Sequence, residues 1–305
     1  MLYGTLVAGT YGIYQYFALP RWDSFWMENV RNVTFGPARP MEIHVFSVMN
    51  APQILALFLA VGMLLALHSQ DKLRFIAVPV AALAFVLTSA RTAWVSFLVG
   101  LLYLVSKAHS RLRLQLLLVV AVSLVLFAVA LEDPRVAFIV SQRINTLSDV
   151  SHDDSFISRV EGHEELLSGI SDVPFGLGLG SQENGSGVLE HTVGKHHPAV
   201  MQGDSTVAAI VTSLGGAGSL LAAASFLFFA SSALRLCATP GGPAEAIKML
   251  ALVLLTEVLF NNIINGPAGF LSWTILALCL AAKRPSALDR SVSDPKTLRR
   301  HVVHV

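Results

Sequence analysis

The chain reads as an all-α polytopic membrane protein, with about eight transmembrane helices and one large, partly helical extracytoplasmic loop. Three observations predict this. Of 305 residues, 54% are hydrophobic and only 13% are charged, whereas soluble domains carry roughly 25% charged residues. Mean hydropathy is +0.62, and apolar runs long enough to cross a bilayer as helices recur along the chain. Finally, residues 132–203 form a polar block holding eleven of the twenty acidic residues, with apolar runs on both sides.

The elements follow in order. Residues 2–19 are apolar, end at Pro20 and lack the basic start of a signal peptide, so they read as the first span. Residues 21–50 read as a polar connection in which Trp22 and Trp26 fit an interfacial aromatic belt. The second span is expected at 51–67, the third at 75–90 and the fourth at 92–106, with Arg91 interrupting the apolar run between the last two. Basic turns carry Lys72 and Arg74, then Lys107, Arg111 and Arg113. The fifth span is expected at 114–131, so residues 1–131 hold five spans. The loop at 132–203 follows, and residues 204–283 hold spans at 205–230, 249–264 and 268–282. Residues 284–305 read as a basic cytoplasmic tail of disordered composition. Cys237 and Cys279 lie outside the large loop, so no disulfide framework is implied.

Orientation follows from the basic residues. Eight spans place thirteen of the 21 Lys and Arg residues on one side, which is expected to be cytoplasmic. The large loop, the Trp-rich connection and Arg91 then share the outer side. Net charge is +1, which gives no sign of a nucleic-acid partner.

Several positions carry chemistry. Arg91 sits between two apolar runs that, as helices, fall short of the roughly 30 Å hydrocarbon core, so it is expected below the outer surface, inside the protein. A buried guanidinium requires an anionic partner or a polar cavity, and its fork suits a diphosphate. A snorkelling arginine at an ordinary loop is the competing reading. Within the loop, Asp153 to Glu161 is dense in charge, and Arg159 is followed by Glu161, Glu164 and Glu165. A solvated amphipathic helix would look the same. Residues 174–180 resemble a glycine-rich phosphate loop but lack a preceding strand and a Lys-Ser/Thr pair, so a tight backbone turn fits better. His191, His196 and His197 match no zinc spacing, and no metal site is expected. Asp204 stands where the loop enters the sixth span, as a helix cap or an outer-face base. Glu257, Asn261 and Asn265 follow at i, i+4 and i+8, which puts them on one face if the seventh helix runs through them. Glu257 would then lie near mid-membrane, either in a functional site or in an interhelical hydrogen bond.

At this point the sequence resembles the O-antigen ligase and Wzy-type polysaccharide polymerase family. The resemblance rests on residues 11–17 with Trp22, Asp23 and Trp26, on residues 45–52, and on residues 87–94 around Arg91. It extends to Asp154 and Ser155 before Arg159, residues 174–180, and Asp204-Ser205-Thr206 with Gly215 and Gly218 downstream. It spans nearly the whole chain. The resemblance implies a metal-independent, cofactor-free glycosyltransferase acting on glycans carried by undecaprenyl diphosphate. Arg91 and Arg159 would bind the diphosphate, and Asp204 would be the base. Asp154 and Glu161 are the alternative carboxylates, and Asp154, Glu161, Glu257 and Asn261 are expected to contribute to substrate binding. Ligase-branch members carry a functional His where this chain has Asp204, which favours the polymerase branch. Members usually have more spans upstream, so a short or truncated member is expected.

The implied function is polymerisation of lipid-linked repeat units at the outer face of a bacterial inner membrane. Its partners are the lipid-linked donor and acceptor glycans, the bilayer, and other polysaccharide assembly or export proteins. A ligase that transfers finished glycan to an acceptor is one alternative. A non-enzymatic transporter or flippase is another, against which stand the lack of inverted repeats and the gathering of polar residues at one face.

Overall fold

A computed structural model describes residues 1–30, 35–69, 71–107, 205–235, 242–258 and 260–282, short stretches at 113–114 and 174–176, and residues 121, 125, 132 and 178. The described residues form eight helices and no strand. They are α1 (Leu2–Ala18), α2 (Arg21–Asn29), α3 (Pro52–His68), α4 (Arg74–Leu87), α5 (Arg91–Lys107), α6 (Thr206–Leu234), α7 (Pro243–Glu257) and α8 (Gly266–Ala282). Most of the fifth span, most of the large loop and the basic tail lie outside the described residues.

Among the described residues, only α6, with 29 residues, is both long and apolar enough to cross a membrane by itself; α3, α4 and α8 are apolar but shorter. Helices of 14 to 17 residues rise only about 21–26 Å. The architecture is compatible with a helical membrane protein.

The bundle is organised around α3. This helix is apolar on every side, and 12 of its 17 residues are buried, as expected of a central helix. It packs against α1, α4, α5, α7 and α8; α7 also packs on α5 and α8, and α6 on α7 and α8. Small residues allow the close approaches, as is common between membrane helices. A Cβ built on Gly100 of α5 would come within 2.5 Å of Leu64 Cδ1 on α3 and 2.8 Å of Val253 Cγ2 on α7. A Cβ on Gly62 would overlap Thr5 of α1.

The polar connection expected at 21–50 contains a helix that its composition concealed. Helix α2 has three faces. Asp23 is buried and accepts a 2.9 Å hydrogen bond from the Tyr11 hydroxyl, which in turn accepts one of 2.7 Å from Trp22 Nε1. Trp22, Phe25 and Trp26 form an exposed aromatic face, and Arg21 and Glu28 are exposed on a third. Such a helix is suited to a boundary between protein, apolar medium and water.

After α2, the segment at 35–51 packs back on the bundle. The buried Gln15 Oε1 of α1 accepts from Phe46 N at 3.0 Å and Ser47 N at 2.8 Å. Ser47 Oγ donates to Ala8 O at 2.8 Å, and Val45 N to Leu87 O at 3.1 Å. Irregular backbone is tolerated at membrane depth only where protein satisfies it, and these bonds do so.

The seventh helix differs from the expectation. The apolar run predicts it at 249–264; it runs from Pro243 to Glu257. Residue 258 and residues 260–265 form turns, bends and irregular backbone. Glu257, Asn261 and Asn265 therefore do not share one helix face. Glu257 is the last helical residue, Asn261 is buried beside it, and Asn265 is exposed.

Candidate functional site

Several helix ends meet at one end of the bundle: the C-termini of α1, α4 and α7 and the N-termini of α5 and α6. The turn from α4 to α5 is built by Thr88, Ser89 and Ala90. Ser89 takes a left-handed conformation with φ 56°. Thr88 Oγ1 donates to Phe85 O at 2.6 Å and accepts from Ala90 N at 3.3 Å. This places Arg91, half-buried, as the first residue of α5.

That position has an electrostatic consequence. The first turn of a helix presents main-chain N–H groups without intrahelical partners and the positive end of the macrodipole. A cation there adds to the field instead of opposing it. Guanidinium and helix end together favour an anion, above all one that accepts several hydrogen bonds, as phosphate does.

One turn into α5, the polar side chains face α7. Glu257 is 1% exposed. Its Oε1 is hydrogen-bonded by Ser96 Oγ and its Oε2 by Asn261 Nδ2. Ser96 Oγ also lies 2.8 Å from Thr92 O, and Asn261 Nδ2 donates to Thr92 Oγ1 at 2.9 Å. Ser96 is five residues beyond Arg91, about 7.5 Å along the helix axis. Glu257 thus sits near the site end of the bundle, not at its middle as the longer seventh helix implied. The interhelical hydrogen bond, one of its two expected roles, is present.

Asn261 has a further set of contacts through its carbonyl. It accepts from Thr206 Oγ1 at 2.6 Å and from Thr206 N at 3.2 Å, while Thr206 Oγ1 accepts from Ile263 N at 3.1 Å. Thr206 is the first residue of α6. The helix cap is Ser205, whose hydroxyl accepts from Ala208 N at 3.1 Å. The capping role considered for Asp204 belongs to its neighbour. Asp204 itself lies outside the described residues, as do Asp154, Arg159, Glu161 and the three loop histidines. Among the described residues, no group of His, Cys, Asp and Glu could hold a metal ion.

The glycine-rich stretch forms a backbone turn over its described residues. It docks on α6 where that helix is broken at Gly215, with φ 67° and ψ −170°. Gly178 N donates to Ser213 O at 3.0 Å, and Ala217 N to Pro174 O at 3.3 Å. A Cβ on Gly176 would lie 2.5 Å from Gly215 N and Ser213 O. The Gly178 amide is therefore engaged by protein, unlike the free amides of a phosphate cradle.

Ser96 goes unmarked in the sequence, and Thr92 and Thr206 lie in stretches that carry the resemblance without any role of their own. Gln15 lay within a stretch carrying the resemblance, but nothing marked it as the acceptor for Phe46 and Ser47. Single Ser, Thr and Gln residues in apolar helices give no signal until a partner helix is known.

A helical bundle, compatible with a membrane protein, whose helix ends gather a cation and buried polar side chains is the class that the described residues define. Residues 76–223 match the Wzy_C family model, described as O-Antigen ligase. This is a membrane protein family of glycosyltransferase-like enzymes in polysaccharide biosynthesis. Among curated proteins, none matches the chain. The matched segment includes Arg91, Arg159 and Asp204, whereas Glu257 and Asn261 lie beyond it.

Proposed function

We propose that the chain polymerises repeat units carried on undecaprenyl diphosphate, at the outer face of a bacterial inner membrane that it crosses about eight times. The carrying observation is the position of Arg91, half-buried as the first residue of α5, inside the segment that matches the family. In this reading the large loop at 132–203 is extracytoplasmic and supplies Arg159 from above, while Arg91 acts from below. Asp154 and Glu161 of that loop help to hold the substrate.

The chemistry is a displacement at an anomeric carbon. A hydroxyl of the acceptor glycan attacks it, the carbon–oxygen bond to the diphosphate breaks, and undecaprenyl diphosphate leaves. The acceptor's proton passes to the Asp204 carboxylate. Negative charge grows on the leaving phosphate, and fixed cations in a water-poor site stabilise that charge more in the transition state than in the ground state. The donor bond is already activated, so no nucleotide, metal or other cofactor enters.

The test is replacement of Arg91, Arg159 and Asp204 singly by Ala, with polymer length read on a gel. Loss of polymer is expected in each. Wild-type polymer from Arg91→Ala and Arg159→Ala would end the proposal. The matched family's description favours a second reading, a ligase, and Asp204 in place of His argues for the polymerase. Deletion separates the two: loss of a polymerase accumulates single lipid-linked repeats, and loss of a ligase accumulates long lipid-linked polymer.

A further inference from the structure

Asn261 touches the heads of two helices that are distant in sequence. Its side-chain amide donates to Thr92 Oγ1 at 2.9 Å, one residue after Arg91. Its carbonyl accepts from both the hydroxyl and the main-chain N–H of Thr206, the first residue of α6. Glu257 completes the arrangement by accepting from the same amide and from Ser96. Thr206, Ser96 and Glu257 are 2%, 0% and 1% exposed, so water does not compete for the bonds between Asn261 and Thr206 or between Glu257 and Ser96. A buried polar network fully engaged in this way specifies one arrangement of its helices.

The chain path makes the arrangement unusual. Asn261 belongs to the non-helical stretch after α7, where a helix would have passed its carbonyl to residue 265. That carbonyl is turned to Thr206 instead. The early end of α7 is therefore what makes the contact with α6 available.

We propose that Asn261, with Thr206 and Thr92, is a positioning clamp that holds the head of α5, carrying Arg91, in register with the head of α6. Glu257 and Asn261 then act through Thr92 and Ser96 rather than on the substrate. The inference rests on the glycosyl-transfer reading above, since Arg91 is the group it serves. A displacement of about 1 Å between reacting groups costs roughly 100-fold in rate, so a clamp of hydrogen bonds at this point has a large kinetic effect.

The experiment uses the full chain in lipid nanodiscs. Thr206→Val removes the hydroxyl while keeping the shape, and Thr206→Ser keeps the hydroxyl; Thr92→Val and Thr92→Ser form a second pair on the α5 arm. Two quantities are read. The first is the distance distribution between spin labels at the exposed positions 95 on α5 and 207 on α6. The second is kcat and KM for the lipid-linked glycan, normalised to folded protein.

Both Val variants are expected to broaden the distance distribution and lower kcat by tenfold or more, roughly, with KM changed far less. Both Ser variants are expected to restore both quantities. An unchanged distance distribution in both Val variants overturns the clamp. So does a broadened distribution with wild-type kcat, which would reduce these bonds to a structural role. If Thr206→Val does not fold, the Thr92 pair decides by the same criteria. Wild-type activity of Arg91→Ala, with the distances behaving as expected, would remove the functional reading and leave the clamp without its purpose, a result distinct from either failure above.

Discussion

The side-chain amide of Asn261 lies 2.9 Å from the hydroxyl of Thr92, across 169 positions of sequence. Through the Asn261 carbonyl the same residue meets Thr206, 55 positions away. Three segments, of which only α5 and the head of α6 lie within the matched residues 76–223, are thus held at one end of the bundle.

Glu257 is expected to tolerate amide chemistry but not an apolar side chain. Ser96 has one hydroxyl proton and two oxygens within reach, on Thr92 and Glu257. In Glu257→Gln the new amide can donate to Ser96 Oγ, while the Gln carbonyl accepts from Asn261. Glu257→Leu leaves the Asn261 amide short of a buried acceptor, at a cost of about 1–3 kcal/mol. Thermal unfolding in detergent should place Gln close to wild type and Leu clearly below it. A Gln variant as unstable as Leu would contradict the network.

The docking of the glycine-rich turn on α6 makes a graded prediction. Gly176→Ala and Gly215→Ala combine a positive φ with backbone atoms in the place of the new methyl group. Gly178→Ala also has a positive φ, but its Cβ meets nothing within 4 Å. The left-handed strain alone is about 1–2 kcal/mol. Gly176→Ala and Gly215→Ala should therefore lose markedly more stability than Gly178→Ala, measured by the midpoint of thermal unfolding. Equal losses in all three would mean that the turn does not dock at the kink.

At Gly100, three helices come together. Gly100→Val places its branched carbons against Leu64 and Val253, and overpacking of this kind costs about 1–3 kcal/mol. A compensating Leu64→Ala should recover part of the loss. Additive destabilisation in the double variant would argue against the α3–α5–α7 junction.

The exposed aromatic face of α2 should contact lipid near the membrane surface. With Trp94 and Trp273 replaced by Phe, the remaining fluorescence comes from Trp22 and Trp26. Lipids brominated high on the acyl chain should quench it strongly, and lipids brominated near the chain end weakly. The reverse depth order, or no quenching, would remove α2 from the interface.

Much of the architecture was legible in the sequence. The apolar runs at 2–19 and 51–67 became α1 and α3 with bounds shifted by a single residue at each changed end, and Arg91 fell at the head of α5. Apolar length is a sum over neighbouring residues, so it can be read locally. Helix α2 escaped because Arg21, Asp23 and Glu28 give it the composition of a loop, although its apolar residues repeat at helical spacing. The seventh helix was shifted because Val258, Phe260, Ile263 and Ile264 are apolar. Apolar side chains are equally at home in turns when protein surrounds them. The early end leaves the Asn261 carbonyl, which a continuing helix would pass to residue 265, to Thr206, a partner from another segment.

The sequence by itself determined a strongly apolar chain with recurring helical runs, the stretch around Arg91 that carries the resemblance, and the presence of a carboxylate and an asparagine near the end of the seventh helix. Only the tertiary structure decided what those residues touch. Glu257 and Asn261 became groups engaged with Ser96, Thr92 and Thr206, and the glycine-rich stretch became a turn seated on the break in α6. The physical reason is that a hydrogen bond depends on which helices are neighbours, and that depends on packing over the whole bundle. A hydrophobic run needs no partner to be recognised, but a buried polar side chain acquires its role from the one it finds.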